Sequence, residues 1–126
     1  MIVPKQLYFN SEEGVFTLYK NENIIQQDIL NSIELIDDSF RHASELITIV
    51  DIHSNHMQIN ESSLSVIFEE IMRRIRKYSK VRLGVVVNCP VGVAFSLLLE
   101  YQLKKSRYLY KTFSSIPAAK EWINNI

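Results

Sequence analysis

From Val81 to Ile126 the chain alternates twice between a short β-branched apolar run and a stretch with helical spacing. VRLGVVVN, residues 81–88, is almost wholly apolar and is closed by Cys89-Pro90. VGVAFSLLLEYQLKK, residues 91–105, then repeats apolar side chains at Ala94, Leu97, Leu98 and Tyr101. RYLYKTF, residues 107–113, reads as a second strand. SSIPAAKEWINNI, residues 114–126, reads as a short amphipathic helix with Ala119, Trp122, Ile123 and Ile126 on one face. Apolar strands alternating with helices specify a parallel sheet covered by helices. In such sheets the functional groups gather at the carboxyl ends of the strands.

The first half supplies the rest of the sheet. Gln6–Asn10 and Val15–Lys20 are strand candidates, and Gly14 between them suits a tight hairpin turn. Asn23 followed by Gln26 has the spacing of a capping box. Ile25, Ile29, Ile33, Ile36 and Phe40 then recur at helical intervals, with Asp28, Glu34 and Asp37 expected off that face. ELITIVDI, residues 45–52, is a buried strand ending in polar residues. Asn60–Tyr78 carries the stripe Leu64, Ile67, Phe68, Ile71, Ile75 and Tyr78, with Glu69–Arg73 and Glu70–Arg74 spaced for ion pairs on the outer side. The predicted order is β-β-α-β-α-β-α-β-α. The expected fold is α/β: a four- or five-stranded mixed sheet with an N-terminal hairpin, then parallel strands with right-handed crossovers and about four helices.

At 126 residues the chain is read as one domain, residues 1–126. MIVPKQLYFN lacks the charged and apolar regions of a signal peptide, and no apolar run reaches the ~20 residues of a membrane span. One cysteine excludes an internal disulfide and fits a reducing compartment, so a cytoplasmic location is expected. Charge is balanced overall but not along the chain. Residues 1–70 hold twelve acidic and three basic side chains, residues 71–126 two acidic and eleven basic.

The element order, and above all F-S-S-I-P-A-A-K-E-W-I at Phe113–Ile123, resembles the STAS superfamily, and within it the SpoIIAA-like STAS/SEC14 group of small bacterial proteins. Phe113, Ser115, Ala119, Trp122 and Ile123 stand where that group has a strand Phe, a capping polar residue, an Ala and a Trp-Leu pair on the last helix. The strand end VVVN, followed by a helix opening on small residues, fits as well. The resemblance implies a STAS-like, non-enzymatic interaction or regulatory module that binds a protein partner or a small apolar ligand. It also implies a phosphorylation site at the helix after the third long strand. There Glu61-Ser62-Ser63-Leu64 keeps the acid and the serines of the family pattern but lacks its glycine, which leaves Ser62 and Ser63 as the candidates. Asn60, Ser62 and Ser63 are also ordinary capping residues.

Asp51, His53, Ser54 and His56 follow one strand, Asn88 and Cys89 the next, and Ser114 the last. In a parallel sheet all seven share one rim, which is the ligand or partner rim predicted here. A phosphoacceptor role for Asp51 is rejected, because the acidic pair, hydroxyl residue and lysine that support it on other strands are missing. Asp51, His53 and His56 have metal-ligating chemistry, but no pattern fixes them on one helix face, so no metal and no cofactor are assigned. Cys89 lies between a strand and a helix N-terminus, where reactive thiols occur. A phosphate-binding C-x5-R loop would need arginine at position 95, which is Phe95. With no P-loop or GxGxxG, nucleotide-dependent enzymes are not expected. The alternative to the binding module is a small hydrolase or transferase using Asp51, His53 and Cys89. The run Arg73, Arg74, Arg76, Lys77, Lys80 and Arg82 has no aromatic platform beside it, and nucleic acid is not among the expected partners. A homodimer joined through complementary charge and tyrosines is.

Overall fold

The computed structural model describes residues 7–10, 14–20, 22–54 and 56–126, the first four by backbone alone. In chain order the elements are β1 (Leu7–Asn10), β2 (Val15–Tyr19), β3 (Ile24–Ile25), α1 (Gln26–Ser39), β4 (Glu45–His53), β5 (Met57–Gln58), α2 (Glu61–Ile75), β6 (Lys80–Val87), α3 (Pro90–Leu103), β7 (Leu109–Phe113) and α4 (Ile116–Asn124). The main sheet has the order β1-β2-β4-β6-β7. β1 pairs antiparallel with β2, and every later pair is parallel. The hairpin, the parallel strands and the four helices stand as the sequence predicts. Gly14 turns the hairpin at φ +68°, a left-handed conformation that glycine adopts without a Cβ clash. Gln6 lies outside the described residues. The short parallel pair β3–β5 forms a second sheet that the sequence pattern does not show.

Strand order follows chain order, so each crossover steps one strand in the same direction. Right-handed connections then place α1, α2 and α3 on one face. Their inner residues Ile36, Ile67, Ile71, Phe95 and Leu99 pack with Phe16, Leu46, Val50 and Val81 of the sheet. α4 leaves the edge strand β7 and folds back over the other face, where Ala119 meets Val15, Ile49 and Val86. No described helix is long and apolar enough to cross a membrane.

Local chemistry sets the helix ends. Asn60 accepts the Ser63 N–H at 3.1 Å to open α2, and Pro90 opens α3 at a position that needs no N–H donor. The Ser115 Oγ accepts the Ala118 N–H at 3.3 Å to open α4, the capping role expected of it. α1 departs from expectation. Its N-cap is Ile25, whose N–H is accepted by Asp28 Oδ2 at 2.9 Å, while Asn23 turns to the Gln58 side chain.

Two carboxylates expected on the outside of α1 are inside. Asp28, Ser32 and Ile36 form the centre of its buried face, and Ile25 is exposed. Asp28 is neutralised by Lys20 Nζ at 2.7 Å. Asp37 accepts from Tyr78 Oη at 2.6 Å, Arg74 Nη1 at 3.0 Å and Lys77 Nζ at 2.9 Å. Burial pushes the Asp37 carboxyl up, but the hydrogen bonds from Lys77, Tyr78 and Arg74 outweigh it and hold the group below the usual carboxylate range. Burial, then the bond to Asp37, drives the Tyr78 phenol upward. The basic run is thus largely engaged within the fold. Arg74 and Lys77 meet Asp37, Lys80 meets Glu45 at 3.7 Å, and Arg82 donates to the main-chain oxygen of Ile126 at 2.6 Å.

Candidate functional site

The parallel registers Tyr19↔His53, Ile52↔Val87 and Val86↔Phe113 bring the carboxyl ends of β2, β4, β6 and β7 to one rim. All seven predicted rim residues stand at or just beyond these ends. Only one pair of their side chains is joined into a chemical unit. Asp51 Oδ2 lies 2.7 Å from His53 Nε2, with the aspartate buried and the imidazole exposed. A buried carboxylate holding an imidazole in one orientation is half of a general-base arrangement.

The remaining rim residues do not complete it. Ser54 Oγ donates to the His56 carbonyl at 2.7 Å and accepts the His56 N–H at 3.2 Å, so it staples the loop. The His56 side chain, Asn88 and Ser114 are exposed. The Cys89 thiol is buried among Leu18, Ile24, Met57 and Val87, an apolar setting. Among the described residues, no three of His, Cys, Asp and Glu converge as a metal site. Ser63 is buried with its Oγ 3.3 Å from Asn60 Oδ1, whereas Ser62 stands exposed, donating to the same oxygen at 2.6 Å.

A second feature lies under the helices. A cavity of about 110 Å³ lies between the sheet and α1, α2 and α3, and Ile33, Leu46, Ile71, Val81, Val85 and Leu99 are among its walls. Few polar side chains reach it, and most of those are satisfied elsewhere. Ser32 Oγ donates to the Asp28 carbonyl at 2.8 Å, and Ser96 Oγ lies 2.8 Å from Tyr110 Oη and 2.7 Å from Thr112 Oγ1. Burial pushes the Tyr110 phenol upward, which keeps it neutral. Arg74 Nε has no hydrogen-bond partner, although Glu70 Oε1 stands 3.5 Å away as an ion pair. The ion pair governs there, since attraction between charges needs no linear N–H···O geometry. The cavity therefore offers a wall that is mostly hydrocarbon, with its few polar side chains already paired. Sequence periodicity assigns Ile33, Ile71 and the strand residues Leu46, Val81 and Val85 to the core, but it puts Leu99 off the expected face of α3 and cannot show that the wall volumes fall short of filling the space.

The chain matches no protein-family model, no curated protein and no solved structure.

Proposed function

We propose that this chain is a non-enzymatic, STAS-like interaction module that carries a small apolar ligand in the cavity between its sheet and α1–α3. The observation behind this reading is the cavity itself. Apolar cavities of ~150 Å³ stay dry and take up benzene-sized molecules, because water finds too few partners in them. A volume of about 110 Å³ suits a ligand no larger than one aromatic ring or a short hydrocarbon chain. The test is a melting series with benzene, toluene and hexanol, alongside native mass spectrometry of protein from its host. A ligand present at a hundred times its Kd stabilises by ~2.7 kcal/mol. If no probe raises the melting temperature and no small molecule co-purifies, the reading fails.

The rival reading, a small hydrolase or transferase, draws on the Asp51–His53 pair. It needs a nucleophile beside the imidazole, and the buried Cys89 thiol is turned into an apolar cluster instead. Alkylation of native protein separates the two. Modification of Cys89 as fast as a free thiol would favour the enzyme, and protection until the protein unfolds favours the binding module.

A further inference from the structure

α3 is apolar on two opposite faces, and the core covers only one of them. Phe95, Leu99 and Leu103 face the core beside Gly92 and Ser96. Val91, Leu98 and Tyr101 point outward at 47%, 50% and 69% exposure, with Ala94 exposed between them and Leu97 alongside at 48%. A helix that is apolar all round is normally covered on both sides. The outer stripe 91-94-98-101 has the three-then-four spacing of a helix-on-helix seam and runs for about 15 Å.

Charge says what kind of helix it suits. The stripe ends on Lys104 and Lys105, whereas Lys111 of the neighbouring edge strand turns to the α4 side of the sheet, its Nζ 5.7 Å from the Phe113 ring centroid. Among the described residues no ion pair engages Lys104 or Lys105. The one acid of α3, Glu100, is drawn aside, since its carboxylate accepts the Thr112 N–H of β7 at 2.8 Å. Because strand order follows chain order, the charge asymmetry of the sequence becomes an asymmetry across the sheet, acidic towards β2 and α1 and basic towards α3 and β7.

We propose that the outer face of α3 is a docking surface for an amphipathic helix of a protein partner, with apolar side chains along its seam and carboxylates on its flank. This goes beyond the cavity ligand and does not depend on it. An apolar centre with a charged rim is the ordinary anatomy of such a contact. A second copy meeting this face through a two-fold axis would bring a basic rim and no carboxylates. A bilayer suits it less. Val91, Leu97 and Leu98 are half sunk in the surface, whereas an interfacial helix buries its apolar face ~5–10 Å deep. Strand addition to β7 is hindered where Glu100 occupies an outward N–H.

The experiment uses two labelled three-heptad peptides with leucine at the seam positions, one flanked by glutamate and one by lysine, titrated with the full chain by fluorescence anisotropy. The glutamate peptide is expected to bind at least tenfold tighter, with the gap closing as salt rises from ~0.1 M to ~1 M. Lys104→Glu with Lys105→Glu should reverse the preference. Leu98→Asp should abolish binding of both peptides, with a melting temperature within a few degrees of the parent. Equal binding of the two peptides, or none at millimolar concentration, overturns the proposal. So does flotation with 3:1 phosphatidylcholine–phosphatidylglycerol vesicles that Leu98→Asp removes, which assigns the face to a membrane. A dimer in sedimentation that the same variant dissolves assigns it to a second copy and overturns the proposal equally.

Discussion

Filling the cavity with protein should stabilise the domain and remove the space proposed to hold a ligand. Unfilled volume costs ~24 cal/mol per Å³, so about 110 Å³ represents about 2.6 kcal/mol of packing not realised. Val81 and Val85 are buried wall residues on β6, two helix-facing positions apart on one strand. Val81→Ile and Val85→Ile each add one methylene, worth about 0.8 kcal/mol when it enters space already present. The double variant should gain about 1.6 kcal/mol, inside the limit the volume sets. For a domain of this size that is a rise of roughly 5–8 °C in Tm. The assay is thermal and urea unfolding of the parent, both single variants and the double variant, each with and without benzene. Benzene should raise the Tm of the parent and have little effect on the double variant. If both single variants melt below the parent, by the ~1–3 kcal/mol typical of overpacking, the space is absent and the cavity reading is wrong.

Three further outcomes follow from the packing. A Cβ on Gly92 would lie 2.5 Å from Met57 Sδ and Val87 Cγ2 and 2.9 Å from Cys89 Sγ, whereas one on Gly84 would have no neighbour nearer than 3.5 Å. Urea unfolding should therefore show Gly92→Ala losing about 1–3 kcal/mol despite its better helix propensity, with Gly84→Ala near neutral. Asp37→Asn leaves Arg74 and Lys77 without their carboxylate and should cost about 3 kcal/mol at pH 7. Because the folded Asp37 carboxyl is held low, its contribution is complete above roughly pH 4 and is lost as pH falls through its folded value. The gap between parent and variant should accordingly narrow in urea titrations at lower pH, and a gap that widens would refute the assignment. Trp122 is half-buried against Phe113, with ring centroids 5.5 Å apart, while Ala119 is the fully buried residue of α4. Full burial would make Trp→Ala cost ~3–5 kcal/mol, so calorimetry should show the half-buried Trp122→Ala losing about 2 kcal/mol and still folding, and Ala119→Leu, which overpacks a fully buried site, losing more.

What the sequence disclosed was governed by strong periodic signals. The β-branched runs at 45–52 and 81–88 could satisfy neither helix length nor a half-exposed strand, so they had to be central parallel strands, as β4 and β6 are. The caps at Asn60 and Ser115 were equally plain, because a side-chain oxygen three residues before a free N–H is a local arrangement. Long-range compensation was not readable. Asp28 and Asp37 were assigned to the solvent side of α1, since an isolated carboxylate is costly to bury. Asp28 is met by Lys20, which directly follows β2, and the partners of Asp37 come from the end of α2 and beyond, far along the chain. The two-residue strands β3 and β5 are too short to carry any period.

The predicted rim exists as a place in the topology, and Asp51–His53 is its one coupled pair, two residues apart on a single strand and so already adjacent in the sequence. Cys89 shows why position alone misleads. Its place between β6 and α3 is the one reactive thiols occupy, yet Gly92 lets α3 settle onto Met57 and Val87 so closely that the thiol becomes part of the packing. α3 shows the converse. Its stripe Ala94, Leu97, Leu98 and Tyr101 has the periodicity of a core face, and the helix instead turns Phe95, Leu99 and Leu103 inward. Two apolar stripes on one helix cannot both be core in a domain with a single helix layer on that face. α3 also covers the edge strand β7, with no further helix of that layer beyond it among the described residues. The residue pattern that made the helix ambiguous in the sequence is therefore the same pattern that leaves the folded domain with an exposed apolar face ending on lysines, the face proposed for an acidic partner helix.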